Sequence, residues 1–244
     1  MDNGYRLEIC ANSVASAVAA QEGGAHRVEF CQNLEVGGTT PSAGQIRLAR
    51  KRLTIGLHVL IRPRAGGFVY TDIEFEEMKA DIRFCKESSC DGVVIGLLDS
   101  GGRVDRERTA ELVALAHPLE VTFHRAFDSC EDPYGALESI IACGCKRLLT
   151  SGLKDTAPEG AELIRELIHR SDGRLEIMPG SGINESNLLR MVALTGASSF
   201  HTSAKVALTE DAARDRTKIG GMGEGVWVSS KEKIRQMADL LNSL

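Results

Sequence analysis

The chain has 244 residues, of which 43% are hydrophobic and 26% charged, with seven cysteines and a formal net charge of −5. The net negative charge argues against a nucleic-acid-binding protein, which usually carries a basic face. No apolar run approaches 18 residues, which argues against a membrane span, and the first residues lack the basic and apolar regions of a secretory signal. Without such a signal, the cysteines predict reduced thiols and a cytoplasmic protein.

Short strand-like segments alternate with amphipathic helical patterns along the chain. In the segment Glu74–Glu87, for example, apolar residues recur on one stripe of a helix. Strands that alternate with helices of this length indicate βαβ units and a parallel sheet. We therefore predict an α/β fold, a single-domain (β/α)8 TIM barrel over residues 1–244. Its eight strands are predicted to begin near Tyr5, His26, Thr54, Asp91, Leu119, Lys146, Arg174 and Ser198.

The alternative fold is an open doubly wound sheet, which would carry a G-x-G-x-x-G turn after its first strand. The residues after the first strand lack this fingerprint, so the barrel is favoured. Helix start signals agree with the alternation. Asn12 or Ser13 is expected to cap the first helix, Asp132 the fifth, and Asn184 or Ser186 the seventh.

Residues 205–230 break the alternation between the eighth strand and the last helix. This segment is predicted to be an irregular Gly-rich loop, and it carries the only tryptophan, Trp227. We interpret it as a flexible surface loop. The alternative is a flap over the barrel mouth or a subunit contact.

Two glutamate–cysteine motifs end the first two strands. Glu8-Ile9-Cys10 and Glu29-Phe30-Cys31 share one pattern, and strand alternation places each glutamate on the same face as its cysteine. If the register of the two strands is level, the equivalent residues are neighbours, with the sulfur atoms within about 5 Å. Cys10 and Cys31 are therefore candidate site residues, although a buried cysteine often packs simply as a small hydrophobe.

Charged and imidazole side chains converge on the same end of the barrel, where TIM barrels carry their functional residues. The two glutamates are candidates for proton transfer, or for ion pairs with the arginines of the mouth. Arg62 must be paired if it is buried, with Glu29 as the nearest candidate partner and Glu8 as the next. The candidate catalytic residues are Glu8, Glu29, Arg62, His124 and Arg125.

A Gly-Ser-Gly sequence follows the seventh strand. In TIM barrels the loops after strands seven and eight often bind phosphate through backbone N–H groups at a helix N-terminus. A simple turn is the alternative interpretation. The candidate anion-binding residues are Gly152, Gly180, Ser181, Gly182 and Ser203.

Several of these segments, taken in order, resemble the CutC copper homeostasis family. The resemblance implies a TIM-barrel fold, a cytoplasmic setting, a homo-oligomer (dimer or tetramer) and a link to copper. Cys10 and Cys31 match positions that resemble the family's candidate copper thiols. The matching stretches include Glu8–Cys10, Gly24–Cys31, Gly37–Ser42, Ile61–Arg64, Met78–Ile82, Thr122–Asp128, Leu149–Gly152 and Pro179–Ile183.

Two functions from different classes are therefore expected. The first is a protein of copper homeostasis that binds Cu(I) through Cys10 and Cys31, because soft thiolates select Cu(I). The same geometry would tolerate a disulfide, and the sequence shows no Met or His cluster near the thiols. The second is a TIM-barrel enzyme that acts on a small anionic or phosphorylated metabolite, with copper binding incidental.

Overall fold

The computed structural model describes residues 4–208 and 226–244. Eight parallel strands form one sheet that curls into a nearly closed barrel, and a helix follows each strand, so the predicted TIM barrel is confirmed. Every predicted strand start lies within two residues of the observed one. The strands are β1 (Arg6–Ala11), β2 (Arg27–Phe30), β3 (Gly56–Leu60), β4 (Gly92–Ile95), β5 (Glu120–Phe123), β6 (Arg147–Thr150), β7 (Glu176–Pro179) and β8 (Ser199–Thr202).

Among the described residues, eight α-helices surround the sheet. Ser13 caps the first and Asp132 the fifth, as predicted. The predicted apolar stripe of the third helix is confirmed, because Phe75, Met78 and Ile82 are all buried. The helices are α1 (Val14–Glu22), α2 (Ala43–Arg52), α3 (Asp72–Glu87), α4 (Arg106–Ala116), α5 (Pro133–Ala142), α6 (Ala161–Ser171), α7 (Leu188–Thr195) and α8 (Lys231–Asn242). None of the described helices is long and apolar enough to cross a membrane.

Helix α7 begins later than the sequence predicted. Its first residue is Leu188, so a start at Asn184 or Ser186 is wrong. The reason lies in the side chain of Asn187. Its Oδ1 accepts a hydrogen bond from the Asn184 N–H at 2.9 Å, and its Nδ2 donates to the Gly182 carbonyl at 2.8 Å. These two bonds hold the preceding residues in a turn.

The two ends of the predicted irregular loop form a short antiparallel ribbon. Strand β9 (Lys205–Ala207) pairs with β10 (Trp227–Ser229). The ribbon is attached to the turn after β1, where Asn12 Nδ2 donates to the Trp227 carbonyl at 3.1 Å. The rest of that loop, residues 209–225, lies outside the described residues.

The strands alternate between apolar side chains that face the helices and polar side chains that face the barrel interior. In β2, for example, Val28 and Phe30 are completely buried in the apolar layer under the helices. Arg27 of the same strand points inward, because its guanidinium contacts Glu176 and Met178 of β7 across the barrel. The helices cover the apolar face of the sheet, and the barrel interior holds mainly polar groups together with a small apolar cluster of Leu60 and Val94 beside the two thiols.

A network of ion pairs built around two buried arginines lies in the half of the barrel below the mouth. Arg27 pairs with Glu8 and lies 3.5 Å from Glu176, and Arg147 pairs with Glu176 at 2.9 Å and Glu120 at 3.0 Å. Burial alone would raise the pKa of Glu8, but the Arg27 guanidinium and the neighbouring histidines hold that pKa well below its ordinary value. The carboxylate of Glu8 is therefore ionised and fixed in place beneath the barrel mouth.

Candidate functional site

The two predicted thiols meet at the C-terminal end of the barrel. The Sγ atoms of Cys10 and Cys31 lie 3.6 Å apart, which confirms the predicted proximity. The expected level register is wrong, because Cys10 lies opposite Glu29 and Glu8 opposite Arg27. Neighbouring strands of a barrel are staggered by its shear, and Cys31 follows directly after the last residue of β2. Both thiols are free and buried.

His201 of β8 joins this site as a single histidine beside the thiols. Its Nδ1 lies 2.8 Å from a Glu8 oxygen, and its Nε2 lies 3.4 Å from a Glu29 oxygen. One ligand atom each of Cys10, Glu29 and His201 can be chosen so that all three lie within 4.8 Å of one another. Barrel closure places Glu8 directly opposite His201 in the pairing of β1 with β8. The sign of this contact in the sequence was that His201 occupies an inward-facing position of β8, the strand that closes the barrel.

Electrostatics in this cluster favour protonated groups near the thiols. The hydrogen bond to Cys31, burial and the Glu29 carboxylate together hold the pKa of Cys10 well above its ordinary value. Burial raises the pKa of Glu29. Burial opposes protonation of His201, but the carboxylates of Glu29 and Glu8 outweigh it and raise the His201 pKa. A cation that binds the thiols must therefore displace protons.

A cavity of about 790 Å³ opens above the cluster at the barrel mouth. Glu8 and Cys31 do not line it, and neither do Gly152 and Gly180. Most of the other residues that the sequence singled out are thus brought together around one space. The predicted site residues that line the cavity are Cys10, Glu29, Arg62, His124, Arg125, Ser181, Gly182 and Ser203.

The structure gives two of the predicted anion-binding glycines a steric role. Gly152 has a positive φ of 70°, and a Cβ atom there would lie 2.4 Å from the carbonyl oxygen of Gly160. A Cβ atom at Gly180 would lie 2.4 Å from the Leu149 side chain. Ser181 does face the cavity, but its hydroxyl donates to the Asp155 carbonyl at 2.8 Å.

Arg62 is buried without a carboxylate partner. Its side chain is 5% exposed, and it forms no ion pair within residues 4–208 and 226–244. The predicted pairing with Glu29 or Glu8 is wrong, because these carboxylates face His201 and Arg27 inside the barrel. The loops after β2 and β3 supply backbone acceptors instead. The Arg62 guanidinium donates to the carbonyls of Val36 at 3.0 Å, Gly38 at 2.6 Å and Gly66 at 2.8 Å.

His124 and Arg125 follow β5 and have different environments. His124 is 6% exposed, and its Nδ1 accepts a hydrogen bond from the Ala126 N–H at 3.0 Å. Burial, assisted by the positive charge of Arg62, lowers the pKa of His124 to about 3. The positive charge of Arg125 is already compensated by an ion pair, since its Nε lies 2.8 Å from a carboxylate oxygen of Asp128.

The fold and the cluster together define a TIM-barrel protein whose mouth carries thiol, imidazole and carboxylate groups that could hold a metal ion. The family model described as CutC matches residues 5–206. The chain belongs to the CutC family.

Similar proteins come from bacteria and animals. A family protein CutC of Chromobacterium violaceum is 51% identical over 219 residues, which cover 90% of this chain and 87% of that protein. The copper homeostasis protein cutC homolog of Homo sapiens is 48% identical over 203 residues, which cover 83% of this chain and 74% of that protein. The crystal structure of a CutC protein from Streptococcus agalactiae superimposes with a TM-score of 0.78 and 33% identity, covering 82% of this chain and 98% of that one.

Proposed function

We propose that this protein serves copper homeostasis by binding one Cu(I) ion at the barrel mouth through Cys10 and Cys31. The observation that carries the proposal is the 3.6 Å separation of the two sulfur atoms. This separation is shorter than two metal–sulfur bonds of about 2.3 Å laid end to end, so both sulfur atoms can contact one ion. Relatives that are named copper homeostasis proteins support the copper link.

His201 is the third ligand in this proposal. Its Nδ1 faces Glu8, which can fix the ring and leave Nε2 as the atom directed toward Glu29 and Cys10. Metal-binding histidines usually hold their second ring nitrogen against a carboxylate in this way. The Arg27 guanidinium keeps Glu8 ionised for that purpose. Thiolate and imidazole ligands suit copper better than the all-oxygen sites of magnesium or calcium.

A competition titration tests the copper site. Reduced protein is titrated anaerobically with Cu(I) against a coloured Cu(I) chelator of known affinity. We expect one ion per chain for the wild type, and at least about a 100-fold loss of affinity when Cys10→Ser and Cys31→Ser are combined. His201→Gln is expected to weaken binding by about 10- to 100-fold.

A matched control uses a second pair of buried thiols. Cys85 and Cys90 also share a side-chain hydrogen bond, and both are buried in the main apolar core, where cysteines pack as small hydrophobes. The combined Cys85→Ser and Cys90→Ser variant should retain the wild-type stoichiometry and affinity. Copper binding that survives the loss of Cys10 and Cys31, or that disappears only in the control, would overturn the proposal.

We also infer that the protein acts in the cytoplasm as a homo-oligomer. Seven free, buried cysteines support a reducing compartment, and the resemblance to the family supports the assembly. Fractionation of cells and light scattering of the purified protein test the two statements separately.

An enzyme acting on a small anionic metabolite is the second candidate function. The observation that favours it is the volume of the mouth cavity, about 790 Å³, which is the size of a small-molecule site and far larger than one ion needs. Glu29 and His124 both line this cavity and are its candidates for proton transfer. A metabolite screen by thermal stabilisation, run on the Cys10→Ser, Cys31→Ser variant, separates such a ligand from copper. No stabilisation by any small anion would count against this function.

A further inference from the structure

We propose that Arg62 and His124 together bind the carboxylate group of a small organic anion in the mouth cavity. The inference deepens the second candidate function by naming the chemical group of its ligand. It does not involve Cys10, Cys31 or His201, so it is independent of copper binding. The supporting observation is that each of the two residues holds one buried nitrogen with no hydrogen-bond partner.

The free donors can be assigned to particular atoms. Nη1 and Nη2 of Arg62 are satisfied by backbone carbonyls, whereas its Nε makes no hydrogen bond of normal geometry among the described residues; the buried Tyr70 hydroxyl, which also lacks one, lies near the guanidinium. Nδ1 of His124 accepts from the Ala126 N–H. In a neutral ring the proton is then on Nε2, which also has no acceptor within the described part of the chain. Both residues line the same cavity, and each holds one buried N–H group without a hydrogen bond in the described part of the chain.

The charge of Arg62 requires a counterion that the described residues do not supply. Four carboxylates line the cavity, and three of them already face cations. Glu29 faces His201, Asp128 pairs with Arg125, and Glu185 pairs with Lys233 at 3.2 Å. The fourth, Asp155, forms no described ion pair with Arg62. A buried cation held only by carbonyls is costly. An anion bound in the cavity next to Arg62 would compensate the positive charge of its guanidinium.

The number and surroundings of the free donors favour a carboxylate over a phosphate. Two N–H groups match the two oxygens of one carboxylate, whereas a phosphate dianion presents three strong acceptor oxygens. Phe68 adds an apolar surface beside them. Its ring centroid lies 5.3 Å from Cζ of Arg62 and 5.1 Å from the centroid of the His124 ring. That surface suits the carbon body of an organic acid.

A third residue of the cavity, Phe68, borders both donor residues. It belongs to the connection between β3 and α3, lines the cavity and packs against both residues. Nε of Arg62 and Nε2 of His124 have almost no exposed surface, so a carboxylate reaches them only when neighbouring side chains of the cavity shift. Phe68→Ala removes the apolar surface beside the two donors and should weaken acetate binding about threefold or more.

The experiment is a nuclear magnetic resonance titration of the ¹⁵N-labelled wild-type protein. Acetate serves as the minimal carboxylate probe, with inorganic phosphate and chloride at matched ionic strength and pH. Arg62→Lys and His124→Gln identify the Nε–H resonance of Arg62 and the Nε2 resonance of His124. We expect acetate to shift both resonances in a saturable way, with a Kd on the order of 10 mM. Phosphate and chloride should leave them unmoved.

Variants provide the matched test. Arg62→Lys keeps the positive charge but removes Nε–H, and it should lose at least about fivefold in acetate affinity. Arg165→Met, at an exposed position of α6, should bind acetate as the wild type does. If Arg62→Lys does not fold, the wild-type titration still decides the question.

Three results would overturn the inference. Acetate at 100 mM (roughly tenfold above the expected Kd) could leave both resonances unmoved, which would show that the donors bind no carboxylate. Phosphate could shift them more than acetate, which would make the ligand class wrong. An anion could instead shift only the amides of Ser181 and Gly182. In that case the second candidate function would stand and the role of Arg62 and His124 would fall.

Discussion

Replacing Glu8 by glutamine should destabilise the barrel strongly, because this carboxylate connects two buried groups. Glu8 is 1% exposed, pairs with Arg27 and lies 2.8 Å from Nδ1 of His201. Glutamine keeps the shape and removes the charge. The buried Arg27 cation would then retain only Glu176, at 3.5 Å. Loss of one partner of a buried ion pair costs about 3–5 kcal/mol, and the remaining Glu176 contact places the expected cost at about 3 kcal/mol.

Urea unfolding at pH 7 measures this loss. With a slope of about 2–3 kcal/mol per molar for a chain of this size, the midpoint should fall by roughly 1–1.5 M. Glu138→Gln is the matched control, because Glu138 pairs with Arg174 at 2.7 Å on the surface, where its side chain is 58% exposed. That substitution should cost about 0–1 kcal/mol.

The pH dependence adds a second readout for Glu8. Its pKa is lowered in the folded protein, so its stabilisation is complete above its ordinary pKa of 4.5 and disappears as the pH falls through the folded value. The difference between wild type and Glu8→Gln should therefore shrink in acid. A cost below about 1 kcal/mol at pH 7, equal to that of the surface control, would refute the argument that the interior charges depend on each other.

Three further predictions concern the cluster and the turns around it. The raised pKa of His201 stabilises the folded state below its ordinary pKa of 6.5, and this contribution is lost as the pH rises through the folded value. The unfolding free energy should thus decline in alkali, and urea unfolding of His201→Gln across pH 6–9 should show a smaller decline. Copper affinity should rise with pH by about tenfold per unit for each proton displaced, since the pKa of Cys10 is raised; pH-independent affinity in the chelator competition would contradict this. Gly152→Ala should cost at least about 2 kcal/mol more than Gly173→Ala in thermal or urea unfolding. Both glycines have a positive φ, but a Cβ atom would strike the Gly160 carbonyl only at position 152 and meets open space at 173. Equal losses would show that the backbone around Gly160 adjusts.

The sequence alone was enough to predict the barrel, because the evidence for this fold lies in patterns among residues that are close together in the chain. The period of alternation within each strand and the helical stripe of α3 depend on residues close together in the chain. The same reasoning found both thiols. Cys10 and Cys31 end consecutive parallel strands, which are neighbours in almost any barrel. Their proximity therefore did not depend on the stagger, although the expected register was wrong by two residues.

Only the tertiary structure decided which partners the charged residues have. His201 meets Glu8 because β8 closes on β1, and this contact joins residues 193 positions apart. Arg62 lacks a carboxylate because the loops after β2 and β3 fold back and present carbonyl oxygens to it. The shear of the barrel sets the contact between His201 and Glu8, and the conformation of the loops sets the partners of Arg62. Neither leaves a periodic signal in the sequence, because each is fixed by the packing of the whole barrel.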